Sequence, residues 1–153
     1  MSLENTKKRA LRILAKRSIS EKEMLKKLTE KGESPENAEE TVRFLVEMGY
    51  INDFDYATLI VRHYSDKGYG IARIKDELYK RGIPRDYWDE KLAELDSSEM
   101  KDTALDFLQK KLRGSTDKDD IRRAQDALVR RGYSYDDAKT AVNGYLECTQ
   151  ENE

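Results

Sequence analysis

At 153 residues the chain has the length of one ordinary domain, but 39% charged and 8% aromatic side chains leave too little apolar surface for one large core. A net charge of −2 does not mark an independent nucleic-acid binder. No apolar run approaches a membrane span, no signal-peptide pattern opens the chain, and the lone Cys148 allows no internal disulfide, so a soluble cytoplasmic protein is expected.

In chain order, the first element is a helix with Ala10, Ile13 and Leu14 on its apolar face. The N-terminal part is strongly basic: residues 1–31 hold ten Lys or Arg against four Glu, a net of +6, with Lys7, Lys8, Arg9, Arg12, Lys16 and Arg17 clustered on or just before a helix. The second helix opens on a Ser20/Glu23 capping box, presents Met24, Leu25 and Leu28, and ends at Gly32, where a left-handed residue follows Lys31 at the negative helix end. The third starts at Ser34-Pro35 and buries Ala38, Val42 and Leu45.

A joint at residues 48–56 follows, with Gly49 ending a helix, Asp53 capping the next, and Tyr50, Ile51 and Phe54 filling the seam. The fourth helix carries Ala57, Ile60 and Val61. Residues 66–70 form a loop. The fifth helix carries Ile71, Ile74, Leu78, Arg81 and Gly82, and the sixth starts at Pro84 and buries Trp88, Leu92 and Leu95. The last three repeat the plan with Ala104, Phe107 and Leu108, a loop at 113–117, then Ile121, Ala124, Leu128, Arg131 and Gly132, and finally a second capping box, Ser134/Asp137, ahead of Ala138, Val142 and Tyr145.

Gly32, Gly82 and Gly132 are 50 residues apart, and so are Leu28, Leu78 and Leu128, and the cations Lys31, Arg81 and Arg131. One supersecondary unit is therefore used three times. The alanines of the first helices step by 47 instead, which predicts longer loops between the first and second helices of units two and three. The expected fold is all-α: three tandem three-helix units in an elongated curved array, at 1–52, 53–96 and 97–148, with a flexible tail at 149–153.

Catalysis has little to stand on. There is one histidine, His63, with no phosphate loop, nucleophile elbow or metal-ligand spacing, so no enzyme activity, cofactor or metal is expected. Six of nine tyrosines lie between residues 50 and 87. Tyr50, Tyr56 and Tyr87 are assigned to sealing small cores. Tyr69, in a Gly-flanked loop, together with Arg73, Lys75 and Lys80, is a candidate partner contact, because aromatics and arginines concentrate at interfaces. The second candidate is the basic cluster Lys7, Lys8, Arg9 and Arg12, suited to phosphate or an acidic protein surface.

The order of these motifs resembles the RecX family of recombinase regulators over about residues 8–146. The stretch GYINDFDYATLIVRH (49–63) is similar to that family's glycine–tyrosine–aliphatic–acidic signature followed by Tyr-Ala. GYGIARIKDELYKRGIP (68–84), SISEKEMLKKLTEKG (18–32) and RRGYSYDDAKTAV (130–142) resemble its other signatures in the right order. With no heptad seam or long apolar stripe left over, the free chain is expected to be a monomer. The resemblance implies a regulator lying in the groove of a RecA filament on single-stranded DNA. There it curbs ATP hydrolysis, strand exchange and repressor cleavage in DNA repair and the SOS response. It carries over no catalytic residue.

Two other classes stay open. Three-helix units resemble helix-turn-helix modules, so the chain could bind DNA directly; the acidic balance speaks against this, and a steep salt dependence without any recombinase would support it. An armadillo-like peptide scaffold fits less well, with three unequally spaced units and no dedicated polar capping repeats.

Overall fold

A computed structural model describes residues 2–95 and 97–151, with nine helices and no strand among them. They are α1 (Leu3–Leu14), α2 (Glu21–Glu30), α3 (Pro35–Glu47), α4 (Asp53–Asp66), α5 (Ile71–Lys80), α6 (Asp86–Ala93), α7 (Ser97–Leu112), α8 (Lys118–Arg130) and α9 (Tyr135–Glu151). The all-α fold of three three-helix units in tandem is the one expected.

The residues fall into two compact bodies, Met1–Ile60 with Glu77–Asp89 and Val61–Asp76 with Glu90–Glu153, so the middle helices α4, α5 and α6 are each shared between them. In the first body Ala10, Met24, Leu28, Ala38, Leu45 and Ile51 form one core. In the second, Ala104, Leu108, Ala124, Leu128, Ala138, Val142 and Tyr145 occupy the corresponding positions. Each fully buried Leu or Met stabilises its core by roughly 1.5–3 kcal/mol.

The caps follow the sequence closely. Ser20 Oγ accepts from the Glu23 amide at 3.1 Å and Glu23 Oε1 accepts from the Ser20 amide at 3.2 Å, completing the capping box. Ser34 Oγ accepts from Asn37 N with Pro35 in the first turn, and Ser134 Oγ accepts from Asp137 N at 3.0 Å. All three second helices close identically. The Glu33, Ile83 and Tyr133 amides donate to the Leu28, Leu78 and Leu128 carbonyls, with Gly32, Gly82 and Gly132 at φ of +91°, +71° and +104°.

Several expectations are corrected. The loops of units two and three are not longer: residues 67–70 and 113–117 connect those helices, against 15–20 in unit one. The extra residues lengthen helices instead. α4 and α7 run to Asp66 and Leu112, the latter buried, and α8 starts a turn early on its own cap Asp117. α4 is capped by Asn52, whose Oδ1 accepts from Asp55 N at 3.1 Å; Asp53 is buried and turned to α2. Pro84 lies two residues ahead of α6, its carbonyl accepting from Tyr87 N. Tyr50 is 53% exposed rather than in a seam, because its amide and that of the buried Ile51 close on the Leu45 carbonyl and send the ring outward. Residues 149–151, placed in a tail by sequence, continue α9, where Thr149 Oγ1 donates to the Tyr145 carbonyl and the partly buried Cys148 sits; 152 and 153 lie outside the described residues.

Candidate functional site

The arrangement that organises the surface is a junction between helix ends, built twice. In the first body the Ser20 hydroxyl at the start of α2 donates to the Arg81 carbonyl at the end of α5. The Lys22 side chain lies against Gly82, where a Cβ would meet it at 2.8 Å. In the second body the start of α5 meets the end of α8 in the same way. The Gly70 amide donates to Arg131 O at 2.8 Å and the Ala72 amide to Gly132 O at 3.1 Å. A Cβ on Gly132 would lie 2.5 Å from the Arg73 amide nitrogen, and one on Gly70 would collide with the Gly132 carbonyl group, so both positions require glycine for closeness of backbone. Each junction sets a positive helix start on a negative helix end.

The cations at these ends do separate work. Arg131 donates to the Lys67 and Gly68 carbonyls and lies 4.4 Å from the Tyr69 ring centroid and 4.9 Å from that of Phe107. Tyr133 OH donates to the same Gly68 carbonyl at 3.0 Å; burial pushes this phenol's pKa up, with Arg131 opposing. In the first body Arg81 pairs with Glu77. Tyr56 has its pKa raised by burial and by the Glu23 charge, with Arg81 opposing. Asp53 accepts from the Glu21 amide at 3.0 Å, and burial first, then the Glu21 and Glu23 charges, raise its pKa to about 6 although that hydrogen bond favours the anion.

The predicted contact residues divide by what they touch. Tyr69 is half-buried, edge-on to Tyr64 at 5.6 Å, and stacked by both Arg73 at 4.9 Å and Arg131 at 4.4 Å, so this loop aromatic is part of the α5–α8 junction. Lys75, in the second body, and Lys80, in the first, are exposed. In the basic cluster Lys7 lies 4.2 Å over the Phe44 ring, and Arg9 pairs with the buried Glu33 at 3.3 Å while donating to the Lys31 carbonyl at 3.1 Å. Lys8 and Arg12, one turn apart, are exposed.

Sequence reasoning missed Glu33 and the close contact at Gly70, and read Asp53 as a cap when it accepts from the Glu21 amide. Thr6 Oγ1 donates to Glu33 at 2.7 Å. A glutamate between two helices carries no mark of burial, because its partners Thr6 and Arg9 come from a distant helix. Gly70 stands at the same 50-residue step from Ser20 that relates the other repeated glycines, and that spacing was the available signal. Elsewhere there is little chemistry: His63 is exposed and edge-on to Tyr64 at 5.1 Å, and no group of metal-ligating side chains occurs among the described residues. No helix there is long and apolar enough to cross a membrane.

Comparison with known proteins fits this geometry. Residues 7–45, 52–92 and 98–142 match the first, second and third three-helix domains of RecX. The regulatory protein RecX of Xanthomonas campestris pv. campestris (strain B100) is 32% identical over 141 residues, covering 91% of this chain and 86% of that protein. The regulatory protein RecX of Pseudomonas putida (strain KT2440) is 33% identical over 129 residues, covering 83% and 82%. The crystal structure of RecX from Lactobacillus salivarius superimposes with a TM-score of 0.82 over 94% of this chain and 96% of that one; at 21% identity it speaks for the fold. Three matched domains in order, and relatives matched over most of their length, place the chain in the RecX family of regulatory proteins.

Proposed function

We propose that this chain binds the RecA recombinase filament assembled on single-stranded DNA, in the cytoplasm, and lowers its ATP hydrolysis, strand exchange and repressor-cleaving activity. The observation that carries this is family membership across all three domains. It acts by contact and not by chemistry of its own, and the free chain is a monomer. The exposed cations Lys8 and Arg12 on α1, and Lys75 and Lys80 on α5, are its candidate contacts. Tyr69, Arg73, Lys7 and Arg9, which are half-buried, support them from inside.

The test is the steady-state ATPase rate of a preformed RecA–single-stranded-DNA filament titrated with the protein, alongside co-sedimentation. The expected result is binding and a falling rate. A rate that stays constant with no protein in the pellet would overturn the proposal. A parallel titration against DNA alone separates a direct DNA binder, which would bind tightly with a steep salt dependence.

A further inference from the structure

The three second-helix ends are built alike, yet only two are covered by the start of another helix. The ends of α5 and α8 each carry a helix start, through Ser20 and Lys22 in one case and through Gly70 and Ala72 in the other. The end of α2 has the same closure, with Glu33 N on Leu28 O and Gly32 left-handed, but a Cβ on Gly32 would meet nothing within 4 Å, and Lys31 and Gly32 are exposed. Arg9 takes one lone pair of the Lys31 carbonyl and leaves the outer face of this end open.

We propose that the end of α2 at Lys31–Gly32 is a docking site for the N-terminus of a helix on the protein partner; this rests on the filament binding proposed above. The two covered ends specify what fits. A partner helix would begin with a Ser, Thr or Gly N-cap able to donate, because Ser20 donates through its hydroxyl and Gly70 through its amide. It would follow a loop with outward carbonyls, because Arg131, the counterpart of Lys31, holds the Lys67 and Gly68 carbonyls of the loop ahead of α5. Acidic residues in its first turn would suit Lys31 and Lys27.

The start of α8 in a second copy of this chain fits poorly. The one second helix whose start is not used in a junction is α8, and it begins on Asp117, whose carboxylate already accepts from Asp120 N. A carboxylate cap cannot donate to a carbonyl and is repelled by the negative end of another helix.

Two full-length variants and one probe test this on the RecA–single-stranded-DNA filament. Lys31→Glu should weaken filament binding about tenfold or more, as expected when a charge-assisted contact becomes a repulsion. Lys31→Arg, which copies the covered ends, should bind at least as tightly as the parent. A benzophenone side chain in place of the exposed Thr29 should cross-link to the first turn of a recombinase helix. If the parent binds and Lys31→Glu binds equally, the docking site is wrong and filament binding stands. If the parent does not bind, both fall. Cross-links only to DNA, to another copy of this chain, or to a recombinase segment that starts no helix also overturn the site.

Discussion

The Ser20 hydroxyl donates to the Arg81 carbonyl 61 residues along the chain, and the Gly70 amide donates to the Arg131 carbonyl across the same separation. The period of 50 residues thus repeats a tertiary contact as well as a fold. α5 offers its start to α8 and its end to α2, which is why its residues divide between two compact bodies. In a repeat protein whose units each bury a small core, such end-to-end bonds are the nearest-neighbour coupling.

Ser20→Ala therefore removes two interactions with one atom: the cap on Glu23 N and the bond to Arg81 O. The cap is worth about 1 kcal/mol. The stranded Arg81 carbonyl, beside a fully buried Ser20, adds on the order of 1 kcal/mol or more. Urea unfolding should show a loss of roughly 2–3 kcal/mol. Ser34→Ala, an exposed cap without a second bond, should lose only about 1 kcal/mol. Equal losses would mean the junction contributes nothing.

The repeated glycines separate conformation from contact. Gly32→Ala meets only the left-handed backbone, at a cost of about 1 kcal/mol, because nothing lies within 4 Å. Gly132→Ala meets that cost and also drives a methyl into the Arg73 backbone. Its loss should exceed that of Gly32→Ala by at least about 1–3 kcal/mol, the usual range for overpacking. Amide exchange at Gly70 and Ala72 should accelerate in Gly132→Ala alone, since those amides donate across the junction.

How far the sequence could be read follows from the range of the signals. The caps at Ser20 and Ser34 and the glycines Gly32, Gly82 and Gly132 are local, and each lies where the pattern put it; the starts of α4 and α6 do not. The loop lengths failed because a distance between two landmarks does not tell whether inserted residues lengthen the helix or the loop; the buried Leu112 settled it for the helix in unit three. The contact residues were the least legible. Tyr69 and Arg73 look like an interface by composition, but Arg73 stacks on Tyr69 and the other residue that claims that ring, Arg131, is some 60 positions away. The Arg9–Glu33 pair at 3.3 Å is hidden in the same way.

The stability of the first body should vary with pH through Asp53. Its pKa is raised from 3.8 to about 6, so the native state holds this proton more tightly than the unfolded chain. Between about pH 4 and pH 6 the unfolded state has lost the proton while the native state retains it. Stability from this group is full below pH 4 and is lost as pH rises through 6. Asp53→Asn keeps an acceptor for the Glu21 amide and has no proton to lose, so its stability relative to the parent should rise across that window and level off above it. Denaturant midpoints at half-unit pH steps measure this; a relative stability that falls between pH 4 and 6 would contradict the assignment.

The candidate contacts and the core make opposite demands, and three variants separate them. Leu78 is fully buried, so Leu78→Ala should cost about 2–5 kcal/mol and lower the melting temperature by several degrees. Lys75→Ala removes an exposed charge and should stay within about 0.5 kcal/mol of the parent. Arg73→Ala is intermediate, because the guanidinium stacks 4.9 Å from the Tyr69 ring beside the α5–α8 junction; the lost cation–π contact is worth about 0.5–1 kcal/mol. On the filament ATPase the order should change. Lys75→Ala should weaken inhibition with the melting curve unmoved. Leu78→Ala should weaken it only at temperatures where the chain has begun to unfold. If Lys75→Ala is silent while Lys8→Ala with Arg12→Ala abolishes inhibition, the contact lies on α1, and the exposed charge of α5 serves only to keep that helix in solvent.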